Sequence, residues 1–537
     1  MTDLEIPYEK DRTFKYRIFE ILPGTLSWLI LFLPIILSII NVTFAAAFVL
    51  AYLLINFTRA IAAGTRAMQG YRIMQQHQRL DWLSMLDDLE RGKVVSNRSH
   101  NLPKWHYKSL LRMEDQPDTI KPSQIIHTII VALYKESRGV LVPTIESILE
   151  SEYDIKKVIL ILAYEERGGD NTEILVNDLI REYGSKFMYA TATKHPKDIP
   201  GETIGKGGNV TYAGRILQQY LEKEKIDPEH VLVTTLDADN RPHKKFLAAL
   251  SYLYTVCPDR IHASFQPVSM YTNNIWDAPA PMRVVATGNS FFNIVLSLRP
   301  HALRNFSSHA QPMAALIETN FWSVRTIVED GHQFWRSYFC FEGNYRVYPI
   351  SVPIYQDAVL TDKYVKTLKA QFIQLRRWTW GVTDVAYVVN QGFFKRNKVP
   401  KKDLITKLLR LLEGHVTWAT GPLLILIAGF IPAMIHPQSF TANELPLIVS
   451  RIQTIALLGG VVTIFFALKT LPPKPDRYKR HRTLFMVLQW IYLPATTIIY
   501  NSMAALYSQT RLMLGQYIDK FDVTEKAVVT SNNDKVL

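Results

Sequence analysis

Residues 230–240 read HVLVTTLDADN, an apolar and β-branched run of strand length that ends abruptly in Asp237, Ala238, Asp239 and Asn240. A strand buried on both faces reads as such a continuous run, which is the mark of a parallel sheet covered by helices. Three runs upstream repeat the pattern: QIIHTIIVAL (124–133), KKVILILA (156–163) and KFMYAT (186–191). Helical patterns near 139–151, 172–183, 209–222 and 243–255 alternate with them. This alternation predicts an α/β domain over residues 66–400, built on a parallel sheet with crossover helices. Open sheets of that kind bind ligands beyond the carboxyl ends of their strands.

The flanks are of a different character. The 48% hydrophobic content with mean hydropathy near zero averages a polar middle with very apolar ends. Residues 21–40 (ILPGTLSWLILFLPIILSII) and 42–64 are each long enough to cross a hydrocarbon core of about 30 Å, giving a transmembrane hairpin within residues 1–65. A signal peptide is the rival reading of the first run. Its length, its mixed-charge start and the second span directly after it favour retained helices. Residues 417–435, 452–468 and 484–508 are further candidate spans within 401–515, ahead of an expected flexible tail at 516–537.

The net charge of +13 collects beside these spans. Lys469, Lys474, Arg477, Lys479, Arg480 and Arg482 form a basic loop that reads as positive-inside topology and contact with lipid headgroups. With that loop inside and the Glu444 loop outside, the N-terminus and the middle domain fall in the cytoplasm. Five crossings place the tail outside, whereas Arg511, Lys520, Lys526 and Lys535 argue for an inside tail, and Pro494 offers a break into a re-entrant element. The basic stretch 395–410 (KRNKVPKKDLITKLLR) suits an interfacial helix that holds the domain near the bilayer. No basic stripe interleaved with aromatics accompanies the charge, so nucleic acid is not an expected partner. Cys257 and Cys340 lack metal-ligand spacing and fit a reduced setting.

Polar clusters follow the strands. Tyr134, Lys135 and Glu136 end the first, where a ring can face a base and a carboxylate can hold ribose, or the tyrosine simply packs. Glu165, Glu166, Arg167, Gly168, Gly169 and Asp170 end the second, with glycines that let backbone approach a ligand; a solvated loop is the plain alternative. Gly205, Lys206, Gly207, Gly208 and Asn209 place a cation at a helix start, where N–H groups receive phosphate oxygens. The spacing is wrong for a P-loop and the Ser/Thr after lysine is missing. Asp237 and Asp239 have the spacing to share Mg²⁺ or Mn²⁺, with a diphosphate completing the shell, although a lone DxD often only caps a turn. Glu329 and Asp330 open the amphipathic run GHQFWRSYF, in which Phe334 and Tyr338 recur one turn apart; capping alone also favours acids there. Gln374, Leu375, Arg376, Arg377 and Trp378 put an amide, two guanidinium groups and an indole within about one turn, a set that also suits a membrane-interface anchor.

Taken in order, ALYKE, EERGGD, KGGN, DAD, VED and QLRRW resemble the motif series of membrane-integrated family 2 glycosyltransferases, the branch of cellulose and hyaluronan synthases. QxxRW following ED by roughly forty to fifty residues is the most specific part. The resemblance covers most of the chain, and it implies a GT-A (Rossmann-like) cytoplasmic domain between N- and C-terminal transmembrane helices, in an integral protein of the plasma membrane. By the same likeness, Tyr134, Glu136, Glu165 and Glu166 contact the nucleoside, Lys206 and Asn209 the diphosphate end, and Asp237 and Asp239 the metal. Asp330, with Glu329, is the general base, and Gln374, Arg376, Arg377 and Trp378 close over donor and acceptor. The implied activity is inverting transfer of a sugar from a nucleotide diphosphate sugar, with UDP expected, to a growing polysaccharide. Single addition to a lipid acceptor is the alternative, and a non-catalytic membrane scaffold a third reading. The chain departs from the family in carrying Glu165 and Glu166 where Asp is usual. It departs again in SHAQPMAALIETNFW (308–322), where His309, Glu318, Asn320 and Trp322 are candidates for acceptor specificity.

Overall fold

The computed structural model describes residues 3–94, 102–114, 119–479 and 481–518. The expected tail therefore lies outside the described residues beyond position 518, with Lys520, Lys526 and Lys535, and so does Arg480.

The strands are β1 (Ile126–Leu133), β2 (Val158–Glu165), β3 (Tyr189–His195), β4 (Val231–Asp237), β5 (Arg241–Pro242), β6 (Ala263–Met270), β7 (Ala310–Pro312) and β8 (Arg346–Tyr355). They form one sheet in the order β3-β2-β1-β4-β7-β6-β8-β5. β3, β2, β1 and β4 are mutually parallel. The short β7 lies antiparallel to both β4 and β6, so β6 and its parallel neighbour β8 run the same way as β4. The carboxyl ends of all six longer strands therefore share one edge, and ligands of open α/β sheets bind at such an edge.

Helices Arg138–Leu149, Asp170–Tyr183, Lys206–Glu224 and Phe246–Val256 occupy the crossovers expected from the sequence. Side chains alternate along each strand, so one face packs Ile129, Val131, Leu160 and Leu162 against Ile145, Val176 and Phe246. The other face packs Ile130, Ile159 and Ile161 against Val210, Leu217 and Trp322. Two differences from the sequence reading have local causes. Gly184–Lys186 forms a 3-10 turn that moves the third strand from 186–191 to Tyr189–His195. β6 and β8 extend the sheet beyond the four expected strands, although both contain proline.

Among the described residues three helices are long and apolar enough to cross a membrane: Phe14–Ile40, Val42–Arg79 and Arg482–Met513. Val42–Arg79 runs well past the expected end at residue 64, and its later turns bring Tyr71 and Met74 against Val268, Met270 and Ile294 of the sheet domain. The expected span 417–435 is divided: helix Lys401–Ile427 ends before it is complete, and Ile431–Ile435 is separate. Pro432 has no backbone N–H to continue the helix from Lys401–Ile427, and it stands in the first turn of the second piece, where none is needed. The span 452–468 falls in helix Phe440–Thr470, where the side chains of 456–463 and 466 are outside those described. Pro494 does not produce a re-entrant break, because Arg482–Met513 continues through it with local 3-10 and π turns.

The first and last of these helices are packed together. Ser27 Oγ donates to Gln509 Oε1 at 2.6 Å and Trp28 Nε1 to Thr510 Oγ1 at 2.9 Å. Arg17 caps the end of the last helix, donating to the carbonyls of Leu512 and Met513 at 2.6 Å each. The basic loop, expected to meet lipid headgroups, makes contacts within the protein. Arg477 pairs with Asp277 at 2.6 Å and Arg482 donates to the Trp276 carbonyl at 2.8 Å, tying the loop to the sheet domain.

Candidate active site

The site assembles at the shared edge. Parallel pairing sets Ala132 beside Asp237, Leu133 beside Tyr164 and Glu165 beside His195, so the ends of β1, β2, β3 and β4 are level. Asp237 is the last residue of β4, and its Oδ1 accepts from Lys206 Nζ at 2.6 Å while Oδ2 accepts from Ser307 Oγ at 2.7 Å. Asp239 is buried, with Oδ2 accepting from the Asp357 backbone N–H at 3.1 Å. Asp357 follows β8 just as Asp237 ends β4, so two strand ends meet at the DAD turn.

Lys206 opens helix Lys206–Glu224, and the glycine after it sets how close that helix can come to its neighbours. A Cβ on Gly207 would lie 2.3 Å from the Ser323 carbonyl oxygen and 3.2 Å from Glu329 Cβ. Only a hydrogen fits, and the lysine is thereby brought to Glu329 and Asp330, the first residues of helix Glu329–Cys340. Burial disfavours the Lys206 charge, but Asp237, Glu329 and Asp330 together outweigh it and hold the ammonium above its ordinary value.

Glu329 is buried, and desolvation followed by the neighbouring Asp330 pushes its carboxyl up to about 8, against the pull of Lys206 and Arg377. Asp330 is half-buried, accepts from the Gly331 N–H at 2.7 Å, and is raised chiefly by desolvation. Two adjacent acids in one low-dielectric site titrate as a pair, and one of them retains a proton into neutral pH. The run Phe334 and Tyr338 forms the expected one-turn stack, with ring centroids 6.0 Å apart.

Helix Tyr364–Thr379 carries Gln374, Arg376, Arg377 and Trp378. It bridges the site and the long apolar helix Arg482–Met513: Ser508 Oγ donates to the Arg376 carbonyl at 2.8 Å and pairs with Thr379 Oγ1 at 2.9 Å. Arg377 acts on the charges of Glu329 and Asp330, and Trp378 lies 6.2 Å from the ring of Tyr271. Gln374 Oε1 accepts from Gln371 at 3.0 Å, and the Arg376 guanidinium lies 5.7 Å from the Tyr507 ring. Tyr271, directly after β6, is a site residue that sequence reasoning missed. Burial, then Asp237, Asp239 and Asp330, raise its hydroxyl pKa, which places it among all three carboxylates. Ser307 and Asp357 were missed as well, since single residues from separate loops have no spacing to betray them.

At the other end of the edge, the Glu136 carboxylate accepts from the Tyr134 N–H at 2.6 Å and Lys135 lies 5.1 Å from the Tyr134 ring. Gly168 has its α-carbon so close to this turn that a Cβ would sit 2.3 Å from the Tyr134 carbonyl oxygen. Glu165 is buried between Arg167 Nη2 at 2.9 Å and His195 Nδ1 at 3.2 Å. His195 also meets Glu202 at 3.0 Å; burial disfavours its charge, but the two carboxylates outweigh that and raise it to about 9. Glu166 accepts from the Lys197 N–H at 2.9 Å, which lowers its pKa.

Other candidates are turned inward. Asn209 is buried and its Nδ2 donates to the Ala163 carbonyl at 2.8 Å, pinning the lysine helix to β2. His309 is held between the Phe306 carbonyl at 2.9 Å and Trp322 Nε1 at 3.3 Å, and burial lowers it to about 4. Trp322 is buried in the core beneath the sheet, whereas Glu318 and Asn320 are exposed. Of the four candidates from 308–322, His309 and Trp322 are therefore paired with each other in the interior, while Glu318 and Asn320 face outward.

Among the described residues no group of three or more His, Cys, Asp or Glu side chains is placed to hold a metal ion. Asp237 and Asp239 supply two hard oxygen donors, which fits the Mg²⁺ habit of binding one or two carboxylates together with substrate phosphates and water.

No family model and no curated protein matches the chain. Among solved structures it is similar to a mannosyltransferase, PcManGT from Pyrobaculum calidifontis in complex with GDP-Man and Mn²⁺, at 15% identity and a TM-score of 0.43, over 85% of this chain and 100% of that one. It is also similar to S. aureus TarS 1–349 in complex with UDP-GlcNAc, at 12% identity and a TM-score of 0.35, over 73% of this chain and 93% of that one.

Proposed function

We propose that this chain is a metal-dependent, inverting glycosyltransferase that passes a sugar from a nucleotide diphosphate sugar, with UDP the expected nucleotide, to a growing polysaccharide at the cytoplasmic face of the plasma membrane. One observation carries the reading. Lys206, paired with Asp237, stands beside the Glu329–Asp330 pair and within the field of Arg377, at the carboxyl edge of a parallel sheet. Four carboxylates and two cations converge there from segments far apart in sequence, in the order of the motif series. Titratable groups perturbed by burial and by each other are the usual signature of a reaction centre.

In this reading Tyr134, Glu136, Glu165 and Glu166 border the nucleoside, and Lys206 releases Asp237 to take the diphosphate. Mg²⁺ or Mn²⁺ held by Asp237 and Asp239 supplies further positive charge for the leaving diphosphate. The acceptor oxygen attacks the anomeric carbon as the bond to the diphosphate breaks. Asp330 takes the hydroxyl proton, and the bonding pair leaves with the nucleotide. A single displacement inverts the configuration and needs no covalent sugar–enzyme intermediate. Arg377, Trp378, Gln374 and Tyr271 close the acceptor side, and Arg376 holds their helix to the last one through Ser508 and Tyr507.

Single addition to a lipid is favoured by one feature, an apolar groove of about 520 Å³ lined by Thr25, Trp28, Leu29, Phe32, Ile35, Ile36 and Met513, which suits an acyl chain. Membranes containing the chain, incubated with a panel of labelled nucleotide sugars, should yield labelled product whose size and solubility separate polymer from glycolipid. Failure of the purified protein to transfer or hydrolyse any of them would leave the scaffold reading in its place.

A further inference from the structure

The segment before the first membrane helix is built into the sheet domain. Ile6 is buried in a core cluster with Leu303, Ala315, Ile327, Val328 and Trp335. Its neighbour Glu5 accepts from Ser323 Oγ at 2.7 Å and pairs with Arg336 Nη1. Arg336 is 1% exposed and lies two turns along the helix that begins at Glu329. Its other nitrogen donates to the Thr319 carbonyl at 2.7 Å, so Glu5 is the carboxylate that meets its charge. Tyr387 Oη and Gln391 Nε2 donate to the carbonyls of Leu4 and Asp3 at 2.9 and 3.0 Å, and the Arg325 guanidinium lies 3.8 Å from the Tyr8 ring.

We propose that Glu5 is a positioning residue for the Glu329–Asp330 pair. It reaches the pair by two routes. Through Arg336 it fixes the helix on which both acids stand. Through Ser323 it fixes the strand of backbone whose carbonyl lies against Gly207, and so the distance between Lys206 and the acids. A buried guanidinium without its carboxylate is strongly unfavourable, so loss of Glu5 forces the helix either to move or to admit water. The strap also joins the site to the first membrane helix, since Thr13 caps helix Phe14–Ile40 only a few residues later.

The kinetic part of this inference rests on the proposed transfer reaction; the positioning part does not, and the two are read separately. In the full chain, Glu5→Gln, Glu5→Asp and Ser323→Ala are compared by amide exchange over residues 201–208 and 323–333 and by the pH dependence of turnover. Glu5→Gln should speed exchange in both segments, lower kcat about tenfold with a smaller change in donor KM, and shift the pH limb set by the acid pair. Glu5→Asp should restore part of each effect. Ser323→Ala, which leaves the Glu5–Arg336 ion pair in place and removes only the second route, should raise exchange in both segments but less than Glu5→Gln. Wild-type exchange in both segments in Glu5→Gln and Ser323→Ala overturns the proposal even if the protein transfers no sugar. An active wild type with an unchanged pH profile in these variants overturns it too.

Discussion

Replacing Gly207 by alanine adds one methyl group at the tightest approach in the site. That carbon would stand 2.3 Å from the Ser323 carbonyl oxygen, with Glu329 Cβ at 3.2 Å blocking a sideways escape. An ordinary carbon–oxygen approach is about 3.3 Å, so the lysine helix and the 323–329 segment must part by about 1 Å. The clash is with backbone, which cannot swing away as a side-chain tip can. Overpacking of this kind destabilises by roughly 1–3 kcal/mol. A displacement of about 1 Å between reacting groups lowers turnover by roughly 10²-fold. The expected result is therefore folded, membrane-extracted protein with a modestly lowered unfolding temperature and kcat/KM for the donor reduced about a hundredfold. Gly208→Ala is the internal comparison: its methyl meets Glu202 Oε2 at 2.6 Å and the His195 ring at 3.1 Å, side-chain atoms rather than backbone, so it disturbs the His195 clamp and the loss of turnover should be smaller. Gly414→Ala, where nothing lies within 4 Å, should leave turnover unchanged. Wild-type kcat/KM in Gly207→Ala would refute the idea that this contact sets the lysine-to-acid spacing.

Asp330→Asn should reduce kcat by about 10²- to 10⁴-fold while donor affinity, measured by calorimetry, stays close to wild type; full turnover would remove Asp330 as the base. Chelation of divalent ions should abolish transfer, and Asp239→Ala should weaken donor binding in Mn²⁺ but not in chelator. An Asp239→Ala protein with the wild-type metal response would place the ion elsewhere. The His195 clamp has a pH signature. Its folded pKa is raised, so its stabilisation is complete below the ordinary histidine value near 6.5 and fades as pH rises through about 9. The stability difference between wild type and His195→Gln should therefore shrink between pH 7 and 10, and a constant difference would show that the charge on His195 contributes nothing.

What could be read from the chain, and what could not, follows from burial. β1, β2 and β4 are covered on both faces and write unbroken apolar runs, and the acids at their ends stand out against them. β6 and β8 hide because their interiors are polar or interrupted: Ser264, Gln266 and Ser269 are buried, and a register shift falls between Pro267 and Ser269. With those strands unseen, Tyr271 and Asp357 at their ends were unseen too. Asn209, His309 and Trp322 are buried with polar groups engaged within the fold, which a polar or aromatic residue beside a motif does not announce in sequence. Residues 3–8 carry no motif, and only the three-dimensional structure shows Ile6, with Leu4 against it, in the core around Trp335.

The union of helices Phe14–Ile40 and Arg482–Met513 bears on how the protein is made. Ser27 and Gln509 are 482 positions apart, yet they share a hydrogen bond in the packed interior of the pair. A chain emerging from the ribosome exposes the polar groups of helix Phe14–Ile40 long before their partners exist, with the whole sheet domain translated in the interval. The helix must meanwhile be sheltered by Val42–Arg79 or by another partner. Closure of the bundle is then a late event of biogenesis, and a nascent chain arrested before residue 509 should be far more open to quality-control proteolysis than one arrested after it.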